Sequence, residues 1–509
     1  MNLQLTTGSG EASSFTLSSS HLSVSKPELL ISLENVIGLS IEDYEDLSSP
    51  QIRKVSTEVQ EDELTPQPIV TRVTLHYFTT RQSSSNHSRW KSLLARTINS
   101  VKFSSLLSES LLFRSELLSR LTSLQSFDSI DRRILIFANP NSGTKSSLSV
   151  CERLLPLMRS RGLLPTVHFT EPAPHTFDFL TNLPKEELTS FDVIACFSGD
   201  GTPHQILNGI QRRNDLEGWV PTLILFPTGS GCALAENTTK LSAIENSVEN
   251  ALFLLLNPRR MKMPLFRVRL FKQKQIFKDV WSFLFTNYGY LADLNKESEF
   301  LRFIGDKRFR VYGYYKLASR FMYQAQVILP KETTFLGENK WEIEKSEKLT
   351  EPVEGEETLE QNEETPTIVR QQKTEVENEK LPAPEGSVEQ LQDLIRLTPD
   401  FYNFYCSFLP FITRGHLSSP CLWENLGEMD TQVFLKESGK WGLVKYLLAH
   451  HQHTPGARVA KVVEPKSNWV RVIVDPNQTN IMIDGESYED DHCEEFQIEK
   501  TDRFFYVLW

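Results

Sequence analysis

Between residues 134 and 234 the chain repeats one pattern three times: a short apolar run, a polar loop holding glycine, then apolar residues at helical spacing. Ile134-Leu135-Ile136-Phe137-Ala138 leads through Asn139-Pro140-Asn141-Ser142-Gly143 to Leu154, Leu155 and Met158. Val193-Ile194-Ala195-Cys196-Phe197 leads through Ser198-Gly199-Asp200-Gly201 to Ile206, Leu207 and Ile210. Leu223-Ile224-Leu225-Phe226 leads through Pro227-Thr228-Gly229-Ser230-Gly231 to a helix starting near Cys232. Short apolar runs alternating with helical segments predict βαβ units on a parallel sheet. In such sheets ligands bind beyond the carboxyl ends of the strands, where loop amides and helix N-termini favour anions. A phosphate compound is therefore the expected ligand. None of the loops has Walker A spacing, and no GxGxxG occurs, which disfavours P-loop and Rossmann assignments.

The pattern changes on either side. Residues 1–13 are polar and expected to be disordered. From there to about 130, short strand-like stretches (Leu29–Leu33, Val36–Ile41, Val70–Phe78) precede a helical stretch, Leu106–Leu121, with an acidic, Ser-rich loop at about 42–66. After 258, alternation such as Leu265-Phe266-Arg267-Val268-Arg269-Leu270 and Val470-Arg471-Val472-Ile473-Val474 suits antiparallel strands with one wet face. Residues 338–392 are too charged and too poor in apolar residues to fold alone, and read as a flexible acidic insertion. A plain solvated loop is the commoner outcome for such a segment; docking of a protein partner is the other.

Composition narrows the field a little. The net charge of -12 over 509 residues gives no bulk attraction to nucleic acid or anionic membrane. Six scattered cysteines without a CxxC pair read as reduced thiols. No secretory signal and no apolar run near bilayer length are visible, so the expected location is cytoplasmic, with peripheral membrane contact only. His416, His450, His451 and His453 have no partner at metal-ligand spacing, and zinc is not implied.

The candidate chemistry centres on Asp200. A carboxylate between two glycines at a strand end can approach a phosphate or hydroxyl closely, and can bind a metal or take a proton. Alone, Gly-Asp-Gly is as often an ordinary turn.

Taken together, NPNSG, SGDGT and PTGSG in this order resemble the diacylglycerol-kinase-type catalytic domain. The block Tyr288–Glu299 followed by Arg302, Gly305 and Arg308-Phe309 resembles the sphingosine and ceramide kinase branch, as does Ile483-Asp484-Gly485-Glu486. The resemblance covers roughly 130–330 and 400–509. It implies an α/β plus all-β protein: a three-layer α/β nucleotide domain with a parallel sheet (131–258), then an antiparallel β-sandwich lipid-binding domain (259–509) interrupted by the insertion. A small PH-like or irregular region (14–130) precedes them. It implies ATP and Mg²⁺ as cofactors and a long-chain lipid at a membrane surface as substrate. A sphingoid base is the leading candidate, with ceramide or diacylglycerol the alternatives. Oligomeric state is left open, a homodimer included.

The resemblance also assigns roles. Asp200 lies beside the acceptor hydroxyl. Asn139, Ser142, Gly143, Thr170, Ser198, Gly199, Gly201, Gly229, Ser230, Gly231, Arg302, Arg308, Asp484 and Glu486 surround the nucleotide, with Asp484 also organising Mg²⁺. Asp293 and Asn295 meet the lipid head group, and aromatic residues including Tyr312, Tyr314 and Tyr315 offer to line a tail pocket. Three positions depart from the family pattern: Gln205 for Glu, Cys232 for Asn, and Asn295 for the Asp that reads the sphingosine amine. The first two keep a lipid- and nucleotide-binding pseudokinase in view. Asn295 shifts weight towards a lipid without a free amine, although Asp293 could partly compensate. A relative of NAD kinase shares the Gly-Asp-Gly core, but the Ala292-Asp293 to Arg308-Phe309 block argues against it.

Overall fold

The computed structural model describes residues 2–7, 12–17, 21–24, 29–32, 36–41, 70–84, 92–106, 117, 132–143, 145–171, 175–304, 307–318, 322–336, 394–423, 425–443, 462–478, 480–488 and 493–509. The acidic loop at 42–66 and the insertion at 338–392 lie outside them. So does nearly all of the stretch 107–121, of which Leu117 is helical and buried.

The three apolar runs become β8 (Arg133–Ala138), β10 (Val193–Ser198) and β11 (Thr222–Pro227). They are parallel and adjacent, with β9 (Leu164–Phe169) at the edge beside β8. Every residue of β10 and β11 is buried, which is why these runs are continuous rather than alternating in hydrophobicity. Helices cover both faces, Ser147–Ser160 and Val248–Leu256 on one side and Gly201–Gln211 on the other. This is the expected α/β domain.

The second unit is the expected antiparallel assembly. Its core gathers Phe266, Tyr288, Val327, Phe401, Phe404, Val472, Phe496 and their neighbours. Two features were not read from the sequence. First, a helical excursion interrupts the strands: Tyr290–Glu297, a short turn at Glu299–Ile304, then Lys307–Ala318. Second, the last strand, β26 (Glu495–Leu508), serves both units. It pairs antiparallel with β12 (Arg260–Lys272) along its whole length and with β23 (Trp469–Val474) over its first five residues. Near its end, Tyr506 and Val507 run parallel to Thr222 and Leu223 of β11. A cut at 258 therefore leaves out the strand that finishes the parallel sheet.

The N-terminal region is more regular than expected. Asn2–Thr7, expected to be disordered, is a strand paired with Ala12–Leu17, because Leu3 and Leu5 alternate with polar residues at period two. Seven strands form one antiparallel sheet in two meanders joined by the first and last. The sheet rests on the α/β domain. Phe78 meets Phe253 edge-on at 5.7 Å, and the buried Arg161 guanidinium donates to the Val36 carbonyl at 2.6 Å. Burial, helped by the nearby Arg132, lowers the Arg161 pKa to about 9.

Phe505 tests the shared strand. It is fully buried among residues of both units and meets Phe283 edge-on at 5.7 Å. Phe505→Ala should cost about 3–5 kcal/mol, read as a lower denaturant midpoint. A midpoint within error of wild type would show that β26 does not hold the units together.

Candidate functional site

The three glycine loops emerge side by side at the carboxyl ends of β8, β10 and β11, and touch through their backbones. A Cβ on Gly229 would lie 2.3 Å from the Gly199 Cα, so a side chain there is sterically impossible without moving a loop. A Cβ on Gly143 would lie 2.5 Å from the Thr228 carbonyl oxygen, and its φ of +51° is already left-handed. Hydrogen bonds follow the same seams. Gly229 N–H donates to the Ser198 carbonyl at 2.9 Å, Asn139 N–H to the Phe197 carbonyl at 3.1 Å, and the Asn139 side chain accepts from Asn141 N–H at 2.9 Å. Below them the Ser147 and Thr228 hydroxyls meet at 2.8 Å. Thus Asn139, Ser142, Gly143, Ser198, Gly199, Gly229, Ser230 and Gly231 are brought together as expected. Sequence did not reveal that the glycines exist largely for one another.

Asp200 sits where two of these loops meet. Its Oδ2 accepts from Ala233 N–H at 2.8 Å and its Oδ1 from Leu234 N–H at 3.0 Å, at the start of the helix Ala233–Leu241. Each carboxylate oxygen keeps a lone pair for a ligand. Burial pushes its pKa up to about 6; the two amides and Arg414 pull the other way, and Asp484 adds to the rise. A carboxylate that titrates there is a better proton acceptor near neutrality than an ordinary one.

Cys232, the departure from asparagine, has a definite role. It is buried in a left-handed turn (φ +51°), and its thiol donates to the Gly229 carbonyl at 3.2 Å. The thiol therefore stays hydrogen-bonded inside the third loop, where burial raises its pKa to about 12. Arg414, which sequence reasoning missed, donates to the Pro227 carbonyl, while its N–H reaches the Gly231 carbonyl at 3.2 Å. Its only sequence signal is an arginine beside a glycine in the tight turn between Phe411–Thr413 and His416–Leu417.

Thr170 ends the edge strand. It is 4 % exposed, and its hydroxyl finds no hydrogen-bond partner among the described residues. A buried hydroxyl in that condition is costly unless a ligand completes it.

Asp484 must be corrected. It was expected at the nucleotide and at Mg²⁺, yet it is 2 % exposed and already saturated. Its carboxylate accepts from the Ser282 hydroxyl at 2.7 Å, from Phe283, Leu284 and Phe285 N–H at 2.9–3.2 Å, and from His204 Nδ1 at 2.9 Å. A carboxylate offers about four lone-pair sites, so none remains for a metal. Among the described residues, no three of His, Cys, Asp and Glu gather to hold a metal ion. Glu486 is different: it is exposed, and its Oε1 would lie 2.5 Å from a Cβ on Gly201, directly over that helix start.

At the head-group end, Asn295 donates to the Gly485 carbonyl at 2.9 Å, and its carbonyl oxygen lies 3.5 Å from Arg308 Nη2. This joins the Arg308 and Asn295 expectations to the Glu486 turn. Arg302 lies in the turn Glu299–Ile304, and its side chain is outside the described residues. Asp293 is itself engaged: its oxygens accept from Lys316 at 3.0 Å, Asn480 at 3.2 Å and the Tyr323 hydroxyl, and Lys316 is shared with Glu297 at 2.8 Å. Tyr314 and Tyr315 do not line a pocket; each is 68 % exposed, beside the exposed Phe300 and Val311.

An α/β domain with a phosphate-type loop cluster, closed by an antiparallel sandwich, defines the architecture. Residues 133–268 match the family described as diacylglycerol kinase catalytic domain. Sphingosine kinase 1 of Mus musculus is 30% identical over 200 residues, covering 38% of this chain and 51% of that protein. Sphingoid long chain base kinase 4 of Schizosaccharomyces pombe is 31% identical over 180 residues (35% and 36%). Sphingosine kinase 1 of Caenorhabditis elegans is 27% identical over 391 residues, covering 69% and 77%. A solved structure of a putative diacylglycerol kinase from Bacillus anthracis aligns at 12% identity with a TM-score of 0.47, covering 75% and 97%. The chain spans about half the length of the first curated relatives it matches. The resemblance read from the loops is borne out: residues 133–268 match the diacylglycerol kinase catalytic family, and the curated relatives similar to this chain are sphingosine and sphingoid base kinases.

Gly229→Ala tests the loop packing. Forcing a methyl into the Gly199 backbone should cost about 1–3 kcal/mol or more and weaken nucleotide binding. Unchanged stability together with unchanged nucleotide affinity would contradict the close approach.

Proposed function

We propose that this chain is an ATP-dependent lipid kinase that transfers the γ-phosphate to the primary hydroxyl of a long-chain sphingoid base. The observation that carries this is Asp200: a carboxylate with raised proton affinity, fixed by two amides where the phosphate-type loops converge. Phosphoryl transfer asks a protein chiefly for positioning and charge stabilisation. The loop amides of the Asn139, Ser198 and Gly229 segments would hold the phosphates. The unpartnered Thr170 hydroxyl would meet the nucleoside, and Arg302 and Arg308 would reach phosphate oxygens. Asp200 would orient the acceptor hydroxyl and take its proton as transfer proceeds. Magnesium, when bound with nucleotide, neutralises phosphate charge and needs few protein ligands. Glu486 is the exposed carboxylate at that edge; Asp484 does not fit. The thiol of Cys232 supports the third loop internally, which favours an active enzyme over a pseudokinase.

A second reading of the substrate has its own support. Asp293 pairs with Lys316, which Glu297 shares at 2.8 Å, and Asn295 carries no charge, so neither offers an ammonium a free carboxylate of its own. An acceptor without a free amine, such as ceramide or diacylglycerol, suits that head-group region better than it suits the relatives' pattern. The exposed Phe300, Val311, Tyr314 and Tyr315 support peripheral contact with a lipid surface. No helix among the described residues is long and apolar enough to cross a membrane.

The test is a radiolabelled-ATP assay of the purified chain against sphingosine, ceramide and diacylglycerol. Phosphorylated lipid should form, and Asp200→Asn should lower kcat about 10²–10⁴-fold with nucleotide binding retained. Because the raised pKa means Asp200 is protonated below about 6, kcat should fall on the acid side of that value in wild type. In the folding balance the sign is opposite: a raised carboxylate pKa favours the folded state at low pH, and that benefit is lost as pH rises through about 6. No lipid product with intact nucleotide binding would favour the pseudokinase.

A further inference from the structure

We propose that His204 is a positioning residue for the nucleotide side of this site, acting through the turn Asp484–Gly485 on Glu486; the proposal rests on the lipid-kinase reading above. His204 lies one helical turn beyond Asp200, its N–H donating to the Asp200 carbonyl at 3.1 Å. The side chain is 4 % exposed and points away from the glycine loops towards the second unit. Its Nδ1 lies 2.9 Å from Asp484 Oδ2, and its Nε2 lies 3.0 Å from the Tyr488 hydroxyl. Asp484 can only accept, so Nδ1 carries the proton; in the neutral ring Nε2 then accepts from Tyr488.

Those two contacts straddle the hairpin that carries Glu486. Ile481–Ile483 and Glu486–Ser487 pair antiparallel across Asp484 and Gly485, both with positive φ (50° and 92°). Asparagine, aspartate and glycine favour such a turn, which matches strand twist. The remaining anchors of Asp484, Ser282 and three amides, belong to the second unit. His204 alone among its partners belongs to the catalytic helix. It therefore fixes where the hairpin sits relative to Gly201, and so where the Glu486 carboxylate lies at that helix start. Asn208, one turn further along, reinforces the attachment through Trp281: it accepts from the Trp281 N–H at 2.8 Å and donates to its carbonyl at 2.9 Å.

The experiment compares His204→Ala, His204→Asn and Tyr488→Phe in the full chain. An asparagine amide can donate from near the Nδ1 position, whereas alanine cannot. For His204→Ala the expected result is a rise of about tenfold in KM and in directly measured Kd for ATP, with kcat and lipid KM changed much less. Hydrogen exchange should quicken across Ile481–Ser487. His204→Asn should recover most of the ATP affinity, and Tyr488→Phe should show a smaller loss of the same kind. Equal ATP affinity in wild type and His204→Ala, or no recovery in a folded His204→Asn, would overturn the proposal. Should the alanine variant not fold, the asparagine and Tyr488→Phe proteins decide it: near wild-type ATP affinity in the first with a loss in the second supports the proposal, and wild-type affinity in both overturns it. A wild-type chain that binds no ATP would sink the kinase reading itself, a result distinct from the variant outcomes.

Discussion

The backbone contact between Gly199 and Gly229 is the constraint on which the site depends. At 2.3 Å from a would-be Cβ to the neighbouring Cα, no other residue fits at 229. Gly143 closes against Thr228 in the same way, so three loops from three parallel strands become one surface. Asp200 is held at its centre because the next helix begins beside it and supplies two N–H groups. Its raised pKa follows from that burial more than from any charged neighbour.

The second constraint is the joint between the units. One strand, β26, is antiparallel in the sandwich and parallel in the α/β sheet. One carboxylate, Asp484, collects five donors from both sides. Neither is a flexible linker. A saturated buried carboxylate loses heavily if a donor is removed, because the charge left behind is desolvated. The joint between the units is thus set by a strand shared between two sheets and by a buried charge that has nowhere else to go.

How much of this could be read in the chain beforehand differs by element. The parallel strands were legible because burial on both faces leaves an uninterrupted apolar run, and the glycine loops because turn chemistry is local. The excursion Tyr290–Ala318 was not: its second helix has an aromatic, exposed face and no clean amphipathic period. The double duty of β26 was invisible because pairing partners far apart in sequence leave no local mark. For the site, residue types were legible and their engagement was not. Asp484 looked like a metal ligand because an aspartate beside a glycine near a family motif reads the same whether it is free or saturated. His204 gave no signal, since a histidine inside a helix is most often a satisfied core residue. Thr170 was named by resemblance alone, and its empty hydroxyl is visible only in three dimensions.

The head-group end turns on charge arithmetic rather than on which residues are present. Asp293 and Glu297 each bring one negative charge, and Lys316, itself only 7 % exposed, brings one positive charge to both, at 3.0 and 2.8 Å. Tyr323 and Asn480 take further lone pairs. An incoming ammonium would have to compete with Lys316, Tyr323 and Asn480 for Asp293, Lys316 keeping Glu297 as its other partner at 2.8 Å. Asn295 could accept from a hydroxyl or amide but already spends its own amide on Gly485. A neutral head group faces none of these costs. Asn295 removes one carboxylate from the family pattern, while Asp293 and Glu297 together outweigh Lys316 by one negative charge, so on the kinase reading proposed above the charge left for a head group is shared rather than free.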